Sequence, residues 1–126
     1  MVTTDIAQLS QECSSWLTSL RTERDEFSQS KKRLQEMITH PMTKDDLLQV
    51  EHYDNQFDIQ LTNINHLKHS IKEHDKLAGW EKSTHDGNVT DATWAAHEDL
   101  NDQVQSLQHT LDDLRGEFNQ FLHKIG

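Results

Sequence analysis

Cysteine, proline, glycine and tyrosine are all scarce: one Cys, one Pro, four Gly and one Tyr in 126 residues. A lone Cys13 cannot close an internal disulfide, which fits a reducing compartment. So few glycines leave no phosphate-cradling loop of the GxxxxGK[ST] or GxGxxG kind, and no GxSxG elbow for a nucleophilic serine. Hydrophobic residues make up 33% of the chain, short of the roughly 45–50% of an ordinary globular domain counted with Gly. A thick, rounded core is therefore excluded, whereas long helices that each bury a narrow stripe need far less apolar material. No apolar run approaches the roughly 20 residues of a membrane span, and the opening MVTTDIAQLS has neither the basic start nor the apolar block of a secretion signal. These absences lead us to expect a cytoplasmic protein without membrane association.

Positive charge is also scarce. Twelve Lys and Arg stand against 22 Asp and Glu, for a net charge of −10. Phosphate backbones are bound by clustered cations, and the one dense basic cluster here is Lys31-Lys32-Arg33, so nucleic acid is not expected as a partner. Folding back at Pro41 would set that cluster beside the acidic stretch Asp45, Asp46, Glu51, Asp54 and Asp58, matching the charges within the chain.

What the sequence does have is apolar spacing that alternates three and four. It runs Ile6, Leu9, Cys13, Trp16, Leu20, Phe27, Leu34, Met37, a coiled-coil seam that a strand could not produce. Pro41 stops it, and Thr43 restarts a helix as N-cap. The second seam is Leu47, Val50, Tyr53 or Asp54, Phe57, Leu61, Ile64, Leu67 or Lys68, Ile71, His74 or Asp75, and Ala78, with Gly79 placed to cap its end. Residues 80-90, including Asp86-Gly87-Asn88, read as a loop. The third seam is His97, Leu100, Val104, Leu107, Leu111, Leu114, Phe118, Phe121, Ile125. The expectation is one all-α domain, an antiparallel up-down-up three-helix bundle or coiled coil over residues 1-126, with helices at about 4-39, 44-79 and 91-124.

Three heptad helices with a tryptophan in the first (SSWLTSLRTERDEF) and a second reading DDLLQVEHYDNQF resemble spectrin-type repeats over roughly residues 5-125. Those repeats usually carry another tryptophan in the middle of the third helix, where this chain has Val104, Leu107 and Leu111. The chain is also similar to small bacterial coiled-coil proteins. Both likenesses imply the bundle and bring no activity with them.

Several polar residues occupy or adjoin the seams: Glu23, Ser30, Asp54, Lys68, Asp75 and His97. A buried charge must be paired or mark a site. Folding helix two onto helix three around residue 86 brings His74, Asp75, His97 and Glu98 to one level, with Glu12 or Asp5 close by. Two imidazoles and carboxylates are donors for zinc or another divalent ion. No HExxH, CxxC or paired Glu-x-x-His accompanies them, and on composition alone no cofactor is expected. Cys13, on the seam, reads as a small apolar filler.

Nine histidines are present. His52 and His66, and His109 and His123, are each 14 apart, so the pairs would flank the groove between helices two and three. His69-Ser70-Ile71-Lys72 resembles the core of histidine phosphotransfer domains, implying phosphorylation at His69 with Lys72 beside it. Glu73, where those domains have glycine, opposes it. Trp80 and Trp94 bracket the loop and read as a hydrophobic lid or a partner-binding surface. Gly116, inside helix three, is a candidate contact for a homodimer. Together these features lead us to expect no enzyme, but a non-catalytic protein-protein interaction or scaffold bundle with an unidentified protein partner. The alternatives are phosphotransfer through His69 and metal binding through His74 and His97.

Overall fold

The computed structural model describes residues 6–125, which form an antiparallel up-down-up bundle of three helices with no strand among them. Helix α1 spans Ile6–Met37, α2 Lys44–Thr84 and α3 Asp91–Ile125. The expected start of the first helix near residue 4, and Asp5, lie outside the described residues. Among the described residues, no helix is long and apolar enough to cross a membrane.

The turn chemistry explains the ends of the helices. After Met37, the amides of Thr39 and His40 donate to the carbonyls of Glu36 and Met37 at 3.2 and 3.1 Å, and Pro41 prevents any continuation. Thr43 Oγ1 accepts from the Asp46 amide at 3.1 Å, with Asp45 and Asp46 in the favourable first turn.

Gly79 does not end α2, contrary to the sequence expectation of a loop over 80-90; the helix continues to Thr84. Ala78 and Glu81 carry the buried face onward, and one exposed glycine costs the helix too little to end it. The stop comes where Asp86 (φ 53°) and Gly87 (φ 85°) enter the left-handed region and the Gly87 amide returns to the Lys82 carbonyl at 2.9 Å. Glu81 then fastens the start of α3. Its carboxylate accepts from the Thr90 amide at 2.8 Å and from Thr93 Oγ1 at 2.9 Å, and Thr90 Oγ1 caps the Thr93 amide at 3.2 Å.

One apolar axis runs through the bundle, and Leu20, Phe57 and Leu111, one from each helix, are at most 1% exposed. Leu47, read as the first seam residue of α2, is exposed instead, one position round the helix from the half-buried Asp46. The axis changes character along its length. Toward Pro41 it is aromatic: Phe57 packs 5.4 Å from Phe27 and 4.9 Å from Phe118 (ring centroids), and the Tyr53 hydroxyl donates to the Glu117 carbonyl at 3.3 Å. Toward the α2–α3 loop it holds Cys13, Trp16, His74 and His97.

Some of the polar seam residues are met from the neighbouring helices. Arg115 on α3 binds Glu23 and Glu26 on α1 and Asp112 on its own helix, and Gln108 also donates to Glu23. Of the basic cluster, Lys31 meets part of the acidic stretch expected opposite it, reaching Asp58 at 2.6 Å and Asp54 at 3.2 Å.

Candidate metal centre

Three donors from three helices converge near the loop end of the core. Cys13 comes from α1, His74 from α2 and His97 from α3, all buried, and one ligand atom of each lies within 4.8 Å of the others. The heptad register is the cause: antiparallel pairing of α1 with α2 and of α2 with α3 brings these three seam positions to one level.

The hydrogen bonds impose an order on the cluster. His97 Nε2 lies 2.9 Å from Glu12 Oε1, and His97 Nδ1 lies 3.0 Å from His74 Nε2. An ionised carboxylate only accepts, so His97 donates through Nε2–H, and in the neutral pair its Nδ1 accepts from His74 Nε2–H. The imidazoles stack at 5.1 Å with 25° between their planes. Trp16 lies 4.7 Å from His97, and Trp94 meets the same ring edge-on at 6.0 Å. His97 is thus held by a carboxylate, an imidazole and two indoles.

The electrostatics follow from burial. The Cys13 thiol is pushed up to about 12, first by loss of water and then by the negative charges of Asp75 and Glu12. Burial, and next the neighbouring His97, hold His74 below its ordinary value, against an opposing pull from Asp75 and Glu81. A thiol kept protonated is a poor nucleophile. A metal ion changes that balance, because its charge compensates the thiolate.

The spacing suits an ion. In a tetrahedral zinc site, Zn–N bonds of about 2.0–2.1 Å put two nitrogens roughly 3.3 Å apart, with sulfur slightly farther. The two ring nitrogens already stand at 3.0 Å. Coordination therefore needs a shift of a few tenths of an ångström between the rings, a modest inward movement of Sγ, and exchange of the His74–His97 hydrogen bond for two metal bonds.

Of the residues predicted to ligate, His74 and His97 are brought together, whereas Asp75 and Glu98 are not among the converging donors. Asp75 sits one position round α2, in the α1–α2 groove with Ser10, Ser14 and Lys82. Glu98 faces the α1–α3 groove with Gln8, Trp94 and Asn101. Adjacent residues on a helix diverge by 100°, so neither carboxylate follows its neighbouring histidine inward. Cys13 was missed as a donor because a seam cysteine is indistinguishable by pattern from a small apolar residue. Its common level with His74 was the available signal.

The other candidate sites stay apart. His69 and Lys72 lie exposed on α2. Trp94 packs half-buried against the core, but Trp80 is 59% exposed, 6.1 Å from the His85 ring, so the two do not form a common lid. Gly116 is exposed, and a Cβ built on it would meet nothing within 4 Å. His52, His66, His109 and His123 are all exposed, with His109 reaching Asp113 at 3.7 Å along its own helix. No protein-family model, curated protein or solved structure matches the chain.

Proposed function

We propose that this bundle binds a transition-metal ion, zinc by its donor set, through Cys13, His74 and His97, and that the ion serves as a non-catalytic clasp between the three helices. The observation that carries this reading is the convergence of one thiol and two imidazoles, each at most 7% exposed, within 4.8 Å. One thiolate and two imidazoles suit Zn²⁺, which lacks a geometric preference and accepts mixed sulfur and nitrogen ligands. Binding releases the Cys13 proton, while His74 relocates its ring proton from Nε2 to Nδ1.

The test is a Zn²⁺ competition titration against a chromophoric chelator, on protein purified without a histidine tag. One tight site is expected, weakened at least 100-fold in Cys13→Ser, His74→Gln and His97→Gln. Zinc bound only through exposed histidines would leave the three variants like the wild type and overturn the reading.

A second reading has its own observation. Leu77 and Trp80, three residues apart on one face of α2, are 46% and 59% exposed. An exposed indole beside a leucine is the material of an interface anchor, in keeping with a scaffold that engages an unidentified protein partner. Trp80→Ala would abolish co-purification of that partner without loss of helicity; retained co-purification would move the interface elsewhere.

A further inference from the structure

We propose that Glu12 is the positioning residue of this centre: it holds His97 with Nδ1 turned toward the ion, and its charge makes the site favour a divalent over a monovalent cation. The inference rests on the metal-binding reading above and assigns a role to a residue outside the ligand set.

Geometry separates Glu12 from the ligands. Its Oε1 lies 2.9 Å from His97 Nε2, on the opposite side of the ring from the Nδ1 that meets His74. An imidazole cannot present one nitrogen to an ion and the other to a carboxylate unless the second is the protonated one. Metal-bound histidines are commonly oriented in this way, by a carboxylate that fixes the tautomer and raises ligand basicity. Glu12 directly precedes Cys13, so one turn of α1 supplies both a ligand and the support of another ligand from α3. Trp16, one turn further on, covers the His97 face. The ring is held on its edge and on its flat side by the same helix.

The charge argument points the same way. A Cys13 thiolate and the Glu12 carboxylate set two negative charges against the ion, and Asp75 adds its field from α2. Attraction scales with the charge of the cation, so neutralising Glu12 weakens a divalent ion about twice as much, in log units, as a monovalent one. The Glu12 side chain is 42% exposed, and solvent screening keeps the charge contribution modest.

Two substitutions separate the effects. Glu12→Gln keeps an oxygen that can accept from Nε2–H but removes the charge; Glu12→Ala removes both. In Co²⁺ titrations, Glu12→Gln should weaken binding roughly threefold to tenfold, and Glu12→Ala about 10–100-fold. Both should keep the wild-type visible spectrum, because the ligand set is unchanged. Cu⁺ affinity, measured under reducing conditions, should fall less than Co²⁺ affinity in Glu12→Gln. Nitrogen-15 spectra of the imidazoles in chelator should show the Nε2–H form of His97 in wild type and Glu12→Gln, and a redistributed ring in Glu12→Ala. An altered Co²⁺ spectrum in Glu12→Gln would make Glu12 a ligand and overturn the inference. So would wild-type Co²⁺ affinity in Glu12→Ala, or a wild-type His97 protonated at Nδ1, with the metal site itself intact. A wild-type protein that binds no Co²⁺ would overturn the metal reading and this inference together.

Discussion

His74 Nε2 stands 3.0 Å from His97 Nδ1 inside the buried seam, although the two residues are 23 apart in sequence and belong to different helices. With Glu12 at the outer nitrogen of His97 and Cys13 in the same cluster, this contact turns the loop end of the core from a packing layer into a set of donors. Buried polar groups are tolerated where each has a partner. Here Glu12, His97 and His74 are partners of one another, so changing His97 leaves the buried His74 Nε2 without its partner.

Stability should therefore depend on pH through His74. Its folded value is depressed, whereas the unfolded side chain titrates near 6.5. Below that pH the unfolded chain binds more protons than the folded one, and stability falls as pH drops from 6.5 toward the folded value; above 6.5 it is level with respect to this group. Urea midpoints in chelator should decline from pH 7 to 5.5 in the wild type. His74→Phe should flatten that part of the curve.

The Cys13 thiol should resist alkylation. Its side chain is 0% exposed and its pKa is raised to about 12, so little thiolate is presented at neutral pH. Iodoacetamide should label Cys13 slowly in the folded protein and rapidly in urea, with added Zn²⁺ slowing the folded-state reaction further. Rapid native labelling unaffected by Zn²⁺ would contradict both the burial and the coordination.

Gly116→Ala should stabilise the bundle by about 0.5–1 kcal/mol, because Gly116 lies within α3, where the added methyl meets no atom within 4 Å and alanine is the better helix former. A chemical-denaturation midpoint moving upward would confirm it. A loss of stability would contradict it.

Phe57→Ala should cost about 3–5 kcal/mol, since the ring is 0% exposed and touches aromatic rings on both neighbouring helices. Its effect on Zn²⁺ affinity should be small, because the metal donors lie at the other end of the core. Equilibrium unfolding and Zn²⁺ titration of the same variant read the two quantities separately.

The seams were legible in the sequence because a three-four repeat sustained over almost five heptads marks a buried helical stripe, and Thr43 and Pro41 marked their boundaries by local chemistry alone. The meeting of His74 with His97 followed from fold-back register. What the sequence hid was decided by side-chain direction and by polar contacts between helices. Cys13 looks like filler until its neighbours are known. Asp75 and Glu98 share the level of the histidines but not their direction. Glu81 reads as a loop residue because the groups that donate to its carboxylate, the Thr90 amide and the Thr93 hydroxyl, lie nine and twelve residues further on, at the start of α3.

The most direct measurement is the absorption spectrum of the tag-free protein titrated with Co²⁺. Coordination by Cys13, His74 and His97 predicts an intense visible band typical of tetrahedral cobalt and a sulfur-to-cobalt charge-transfer band. Both should saturate at one equivalent, vanish on addition of excess Zn²⁺ and lose the sulfur band in Cys13→Ser. A spectrum that remains that of hydrated Co²⁺ throughout, or is unchanged by Cys13→Ser, would contradict the proposed centre.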